Sequence, residues 1–211
     1  LTFSALYEQY ADVQQRLLDE NVKVVKTESQ LLKALQNADE DTVIDVQADI
    51  TITDTTTINS SATIQSSNGS TLKADNTGLQ CLKIDNGSKL TFGEGITVQS
   101  RVIVQGGQLI LDGGKISGLE CTNTLAPVRV ESGVFTMKSG EISGNTASNG
   151  GGVYVDGGSF VMEGGKISGN TAENGGGVYV KRGSFVMEGG EISGNTAENG
   201  GGVYTADTFN M

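Results

Sequence analysis

Residues Glu141 to Gly165 read EISGNTASNGGGVYVDGGSFVMEGG, and residues Lys166 to Gly190 read KISGNTAENGGGVYVKRGSFVMEGG. A third copy, EISGNTAENGGGVYT, opens at Glu191. The offset is 25 residues at every position, so Val153, Val178 and Val203 correspond, as do Ile142, Ile167 and Ile192. Each copy holds three short apolar pieces, VYV, FVM and KIS or EIS, in which apolar and polar residues alternate. Alternation marks strands with one buried face, and the glycines between them mark turns. Pieces this short and this rich in glycine do not make helices. Nor can three strands of three or four residues form a sheet alone. They can form one coil of a parallel β-helix, with each coil stacked about 4.8 Å above the last.

The period continues outward in weaker form. Val128-Arg129-Val130 and Phe135-Thr136-Met137 stand 25 residues before Val153 and Phe160, and Val102-Ile103-Val104 stands 26 further back. Leu82-Lys83-Ile84, Leu90-Thr91-Phe92 and Ile96-Thr97-Val98 form an earlier, shorter turn. Val203-Tyr204-Thr205 and Phe209-Asn210-Met211 begin a repeat that is not completed, so the chain reads as a piece of a longer protein.

Register then assigns side chains. Inward stacks are expected at Val128/Val153/Val178/Val203, Val130/Val155/Val180, Phe135/Phe160/Phe185, Met137/Met162/Met187 and Ile142/Ile167/Ile192. Outward rows are expected at Tyr154/Tyr179/Tyr204, Thr136/Val161/Val186 and Ser143/Ser168/Ser193. Asn145, Asn170 and Asn195 recur at a corner, where an in-register Asn ladder can hydrogen-bond along the stack. NGGG is read as a tight corner needing positive φ, not as a phosphate loop, since no Lys-Ser/Thr and no helix follow it.

The first 42 residues differ. Glycine is absent before Gly69. Ser4 to Glu20 reads as an amphipathic helix, and Thr27-Glu28-Ser29-Gln30 as a capping box opening LLKALQNA. A helix over Thr27–Ala38, with Leu31, Leu32 and Leu35 facing the first coil, would cover the open end of the stack. The expected organisation is an α-helical segment and cap over 1–42 and a β-helix over 43–211. The fold class is all-β: a right-handed parallel β-helix with three short strands per coil and a small helical cap.

Composition limits the chemistry. The 211 residues include 31 Gly, 1 Pro and no His. Without His there is no His-dependent triad, and most zinc sites are excluded. The formal net charge is -11, which disfavours nucleic acid as a partner. No stretch is apolar enough to insert in a membrane. Cys81 and Cys121 are the only cysteines; they could form one disulfide in an oxidising compartment or be two buried thiols.

With these residues in hand, the chain resembles right-handed, pectin-lyase-like parallel β-helices: SQLLKALQNA, then TVIDVQADITIT, then glycine-rich coils. The repeat ISGNTAENGGGVYV is similar to repeats of bacterial adhesin-like proteins and polymorphic outer-membrane proteins. Gly151-Gly152-Val153 stands where their GGA-[ILV] signature would, and Ile142 to Asn145 stands for FxxN. The resemblance implies an extracellular or bacterial cell-surface location and a role in adhesion to a host protein or glycan. Related enzymes use Asp clusters with calcium and an Arg or Lys base, or paired Asp on adjacent coils. Asp112, Asp156 and Asp207 are scattered here and form neither pattern, so no catalytic, metal or cofactor site is assigned.

The Tyr154/Tyr179/Tyr204 row, with Val161 and Val186, is the candidate contact surface, because Tyr is enriched at recognition surfaces. Its structural alternative is a ladder that merely stabilises the stack. Two other readings stay open. One is a polysaccharide lyase or hydrolase whose site lies in the irregular coils near Asp75, Asp85, Arg101 or Arg129. The other is a rigid spacer stalk with no binding of its own.

Overall fold

The computed structural model describes residues 21–74, 81–121 and 126–206. The expected helix from Ser4, Asp75, and the unfinished repeat from Asp207 lie outside these residues. Over the described residues the chain is an all-β parallel solenoid of about seven coils with one short helix. Every paired strand in it is parallel to its neighbours in the coils on either side, and the strands assemble into an eleven-, a seven- and a four-stranded sheet.

The eleven-stranded sheet carries the long strands Arg101–Leu111, Val128–Met137, Val153–Met162 and Val178–Met187. In the repeats, VYV and FVM therefore belong to one ten-residue strand rather than two pieces. The earlier coil shows how they join. Arg101–Leu111 pairs with Cys81–Asp85 along its first half and with Lys89–Phe92 along its second. Later coils fuse the two halves across glycines, where the register shifts between Asp156 and Ser159. EIS and KIS lie in the seven-stranded sheet, paired Glu141↔Lys166↔Glu191. The segment NTAEN, whose first Asn is expected at a corner, contributes Thr171–Asn174 and Thr196–Asn199 to the four-stranded sheet.

The expected inward stacks form the core up to the last coils, where Met187 and Val203 are exposed and Phe185 and Ile192 half-buried. Val128, Val153, Val178, Phe135, Phe160, Met137, Met162, Ile142 and Ile167 are all fully buried. The Phe135 and Phe160 rings stack at 4.7 Å, and Phe160 and Phe185 at 4.9 Å. Fully burying side chains of this size stabilises by roughly 1.5–3 kcal/mol each. The Asn ladder also points inward: Asn145 and Asn170 are buried. Asn145 Nδ2 donates to Asn170 Oδ1 at 2.9 Å, and Asn170 Nδ2 donates to Asn195 Oδ1 at 2.9 Å. The same amides reach the carbonyls of Ile116 and Ile142 below. Buried amides are tolerated here because each repeat supplies its neighbour's missing partner.

The cap helix runs Glu28–Gln36, with Thr27 as N-cap. Thr27 Oγ1 accepts from Gln30 N, and Gln30 Oε1 accepts from Lys26 N at 2.8 Å, closing the expected box one residue earlier than usual. Leu31 and Leu35 are buried against the first coil, while Leu32 is half-buried. The Glu28 carboxylate fastens the helix to the coil by accepting from Thr53 N and Thr53 Oγ1. Ahead of the helix, Val22–Val25 is a strand paired parallel with Val43–Val46, inside a region expected to be helical.

Candidate functional site: the outer face of the long strands

The parallel register turns each outward position of the long strands into a column. One column reads Lys83, Ile103, Arg129, Tyr154, Tyr179 and Tyr204. The Tyr154 and Tyr179 rings stack at 5.1 Å and 17°, and Tyr179 and Tyr204 at 5.4 Å and 7°. Arg129 closes the lower end, its Cζ 5.1 Å from the centre of the Tyr154 ring. That is a cation–π contact. The outward row is thus covered more than its direction implies: Tyr154 is only 7% exposed, and Tyr179 and Tyr204 are half-buried.

This stacking limits what the column can do. Ring faces are turned along the solenoid axis and covered by neighbouring rings. At the half-buried Tyr179 and Tyr204, the sides left open to a ligand are ring edges and phenolic hydroxyls, whereas Tyr154 is largely covered. The column therefore offers a rail of hydroxyl groups about one coil apart, able to donate or accept hydrogen bonds. Burial and the flanking Tyr154 and Tyr204 push the Tyr179 pKa up, so this phenol keeps its proton at neutral pH.

Two residues further along each strand, and on the same face, runs a charged column. Asp156 is buried there and gathers three cations. Arg182 Nε and Nη2 both lie 2.8 Å from its Oδ1. Arg129 Nη2 lies 3.3 Å and Lys181 Nζ 3.7 Å from its Oδ2. Arg129 Nε also meets Glu131 Oε1 at 2.9 Å; this contact is electrostatic, because Nε has no hydrogen-bond partner. The identical repeats break here, since Asp156-Gly157 becomes Lys181-Arg182 one coil on. That substitution is the sequence signal for a cluster that the periodicity alone does not single out.

Val161 and Val186 stand beyond the glycine bend of the same strands, below and above one another in register. Val161 is half-buried and Val186 is 46% exposed. Ser159 and Ser184, between the charged column and the valines, are joined by a 2.9 Å hydrogen bond. No family model, curated protein or solved structure matches the chain. The face must therefore be read on its own chemistry.

Of the residues named for an alternative site in the irregular coils, Asp85, Arg101 and Arg129 are described and stand apart. Arg101 begins its strand opposite Cys81, Asp85 ends its strand opposite Gln105, and Arg129 belongs to the Tyr column. These are three different positions along the strands. Cys81 and Cys121 are free thiols, the former buried, and belong to different sheets. Burial pushes the Cys121 thiol up to about 11, with Arg101 acting in the opposite direction, so it stays protonated and is a poor nucleophile. Among the described residues, no group of three His, Cys, Asp or Glu is placed to hold a metal ion. A cleft of about 470 Å³ lies between the cap helix and residues 53–60, with Glu28, Leu32 and Thr55 in its lining.

Proposed function

We propose that this chain is a non-enzymatic β-helix module of a bacterial surface or secreted protein. It binds a host protein or glycan through the outer face of its long strands. The observation carrying this reading is how the residues divide. Inward positions repeat apolar groups and Asn committed to stacking, while outward positions beside them carry Tyr hydroxyls and a charged cluster. Such a surface can grip by hydrogen bonds and charge. It holds no nucleophile–base pair of the kind that covalent catalysis needs.

The test uses host-cell monolayers and a glycan array with the intact chain and two triple variants. Changing Tyr154, Tyr179 and Tyr204 to Phe keeps the ring stack and removes the hydroxyls. Changing them to Ser removes both. Binding by the intact chain that falls at least about tenfold in the Phe variant, at unchanged melting temperature, supports the hydroxyl rail. Binding unchanged in both variants sinks it.

The burial of Tyr154 favours one other reading, a rigid spacer whose Tyr ladder serves only to stiffen the stack. A spacer predicts no retention on any cell or glycan surface, together with a lowered melting temperature in the Ser variant.

A further inference from the structure

Lys181 and Arg182 are the only adjacent pair of cations in the sequence. They stand in a chain of net charge -11, at the point where the repeat departs from its own pattern. Their counter-charge, Asp156, lies buried beneath them rather than beside them: its side chain is 7% exposed, against 49% for Lys181 and 68% for Arg182. Arg182 spends Nε and Nη2 on a single carboxylate oxygen, leaving its remaining N–H donors turned away from Asp156. Lys181 makes only a 3.7 Å contact. Among the described residues, the three cations Arg129, Lys181 and Arg182 face two carboxylates, Glu131 and Asp156, so these five groups together carry a positive charge. At physiological salt, screening over about 8 Å hides most of the distant acidic surface from a ligand docked here.

We propose that Lys181 and Arg182 form an anion-recognition point, taking a carboxylate or sulfate substituent of a glycan that lies along the Tyr179–Tyr204 hydroxyls. This rests on the glycan-binding reading above and narrows its ligand to acidic glycans. The geometry suits the combination. Tyr179 and Lys181 are two residues apart on one face of a strand, about 7 Å between backbone positions. One sugar unit can therefore touch a hydroxyl while its acidic group reaches the ammonium or guanidinium. An oxyanion meets a planar guanidinium fork with directed, charge-assisted hydrogen bonds, which a neutral hydroxyl cannot match.

The test measures binding of the full chain to heparin, polygalacturonate and hyaluronan, with dextran and cellulose oligomers as neutral probes. Polygalacturonate and hyaluronan carry carboxylates alone and heparin carries sulfates as well, so binding to heparin without the other two assigns the anion to sulfate. Two variants are compared: Lys181→Gln/Arg182→Gln, and Lys181→Gln alone, which leaves every short contact to Asp156 in place. The expected result is preference for acidic probes, weakened by added salt. The double variant should lose roughly tenfold or more, and the single variant a smaller part of it, with neutral probes unaffected. Equal binding of acidic and neutral probes, or acidic binding unchanged in both variants, overturns the anion point and leaves the glycan-binding reading standing. Binding to none of the probes overturns both.

Discussion

At the scale of single residues, the glycines of NGGG have two distinct jobs. Gly175, the first, has φ +63° and makes the turn. Gly176, the second, has no such requirement, but a Cβ there would sit 2.4 Å from the Gly201 carbonyl oxygen and 2.7 Å from that of Thr196. Its smallness is set by the coil above rather than by its own backbone. Gly169 is the contrast, with φ +64° and nothing nearer than 3.9 Å to a Cβ. Gly176→Ala should therefore cost about 3 kcal/mol through backbone overlap. Gly169→Asn should stay within about 0.5 kcal/mol, since Asn accepts the left-handed region. Chemical denaturation of the two variants decides it, and equal losses would show that the close approach of the Gly201 and Thr196 carbonyls adds no cost at Gly176. The cysteines give a second residue-scale expectation. With Cys81 buried and the Cys121 thiol pushed up to about 11, a disulfide-exchange reagent at pH 7 should label neither quickly in the native state. It should label both after unfolding, and a reductant should leave the melting temperature unchanged. A shift with reductant would mean that a bridge exists.

At the scale of elements, the ladders and the cap were legible in the sequence to different depths. Identical residues at a fixed 25-residue offset admit one stacking solution, so Phe160 over Phe135 and Asn170 over Asn145 follow directly from the repeat. The cap helix follows from Thr27 and Gln30. The strand Val22–Val25 does not. Val22-Lys23-Val24 alternates, but it is too short to stand out beside a stretch that reads as helical, and its pairing with Val43–Val46 is non-local. The charged cluster was half legible. The change from Asp156-Gly157 to Lys181-Arg182 is plain to read, but the period pairs Asp156 with Lys181. A one-residue register shift instead sets Asp156 opposite Arg182, and that shift has no periodic signature. The cap makes its own prediction. Glu28 is the residue that ties the helix to the Thr53 backbone. Glu28→Ala should cost about 1–2 kcal/mol and raise hydrogen exchange over 28–36 first, leaving the amides of 153–162 protected. Uniform loss of protection would mean that cap and coils melt as one unit.

At the scale of the whole molecule, stability rests on repeated apolar stacks inside and on paired carboxylates outside. Hydrogen bonding from Ser143, then Lys115, holds Glu141 below its ordinary range, and Ser193, then Lys166, does the same for Glu191. At Asp45, burial opposes ionisation, but the Gln47 and Ser67 donors together outweigh it and the pKa is lowered. A carboxyl depressed on folding stabilises above its unfolded pKa and loses that contribution as pH falls through its lower folded value. Stability should hold from pH 7 to about 5, then decline steadily below about pH 4. A melting temperature that rises on acidification below pH 4 would contradict this.

The division between a committed interior and an available exterior is what the proposed binding role rests on. The most direct measurement incubates the intact chain with a panel of acidic and neutral polysaccharides and follows, in the same tubes, both co-sedimentation of protein and appearance of new chain ends. The account predicts co-sedimentation that fades when Tyr154, Tyr179 and Tyr204 become Phe, with no new chain ends at any time. New chain ends generated by the chain, or retention indifferent to the Tyr column, would contradict it.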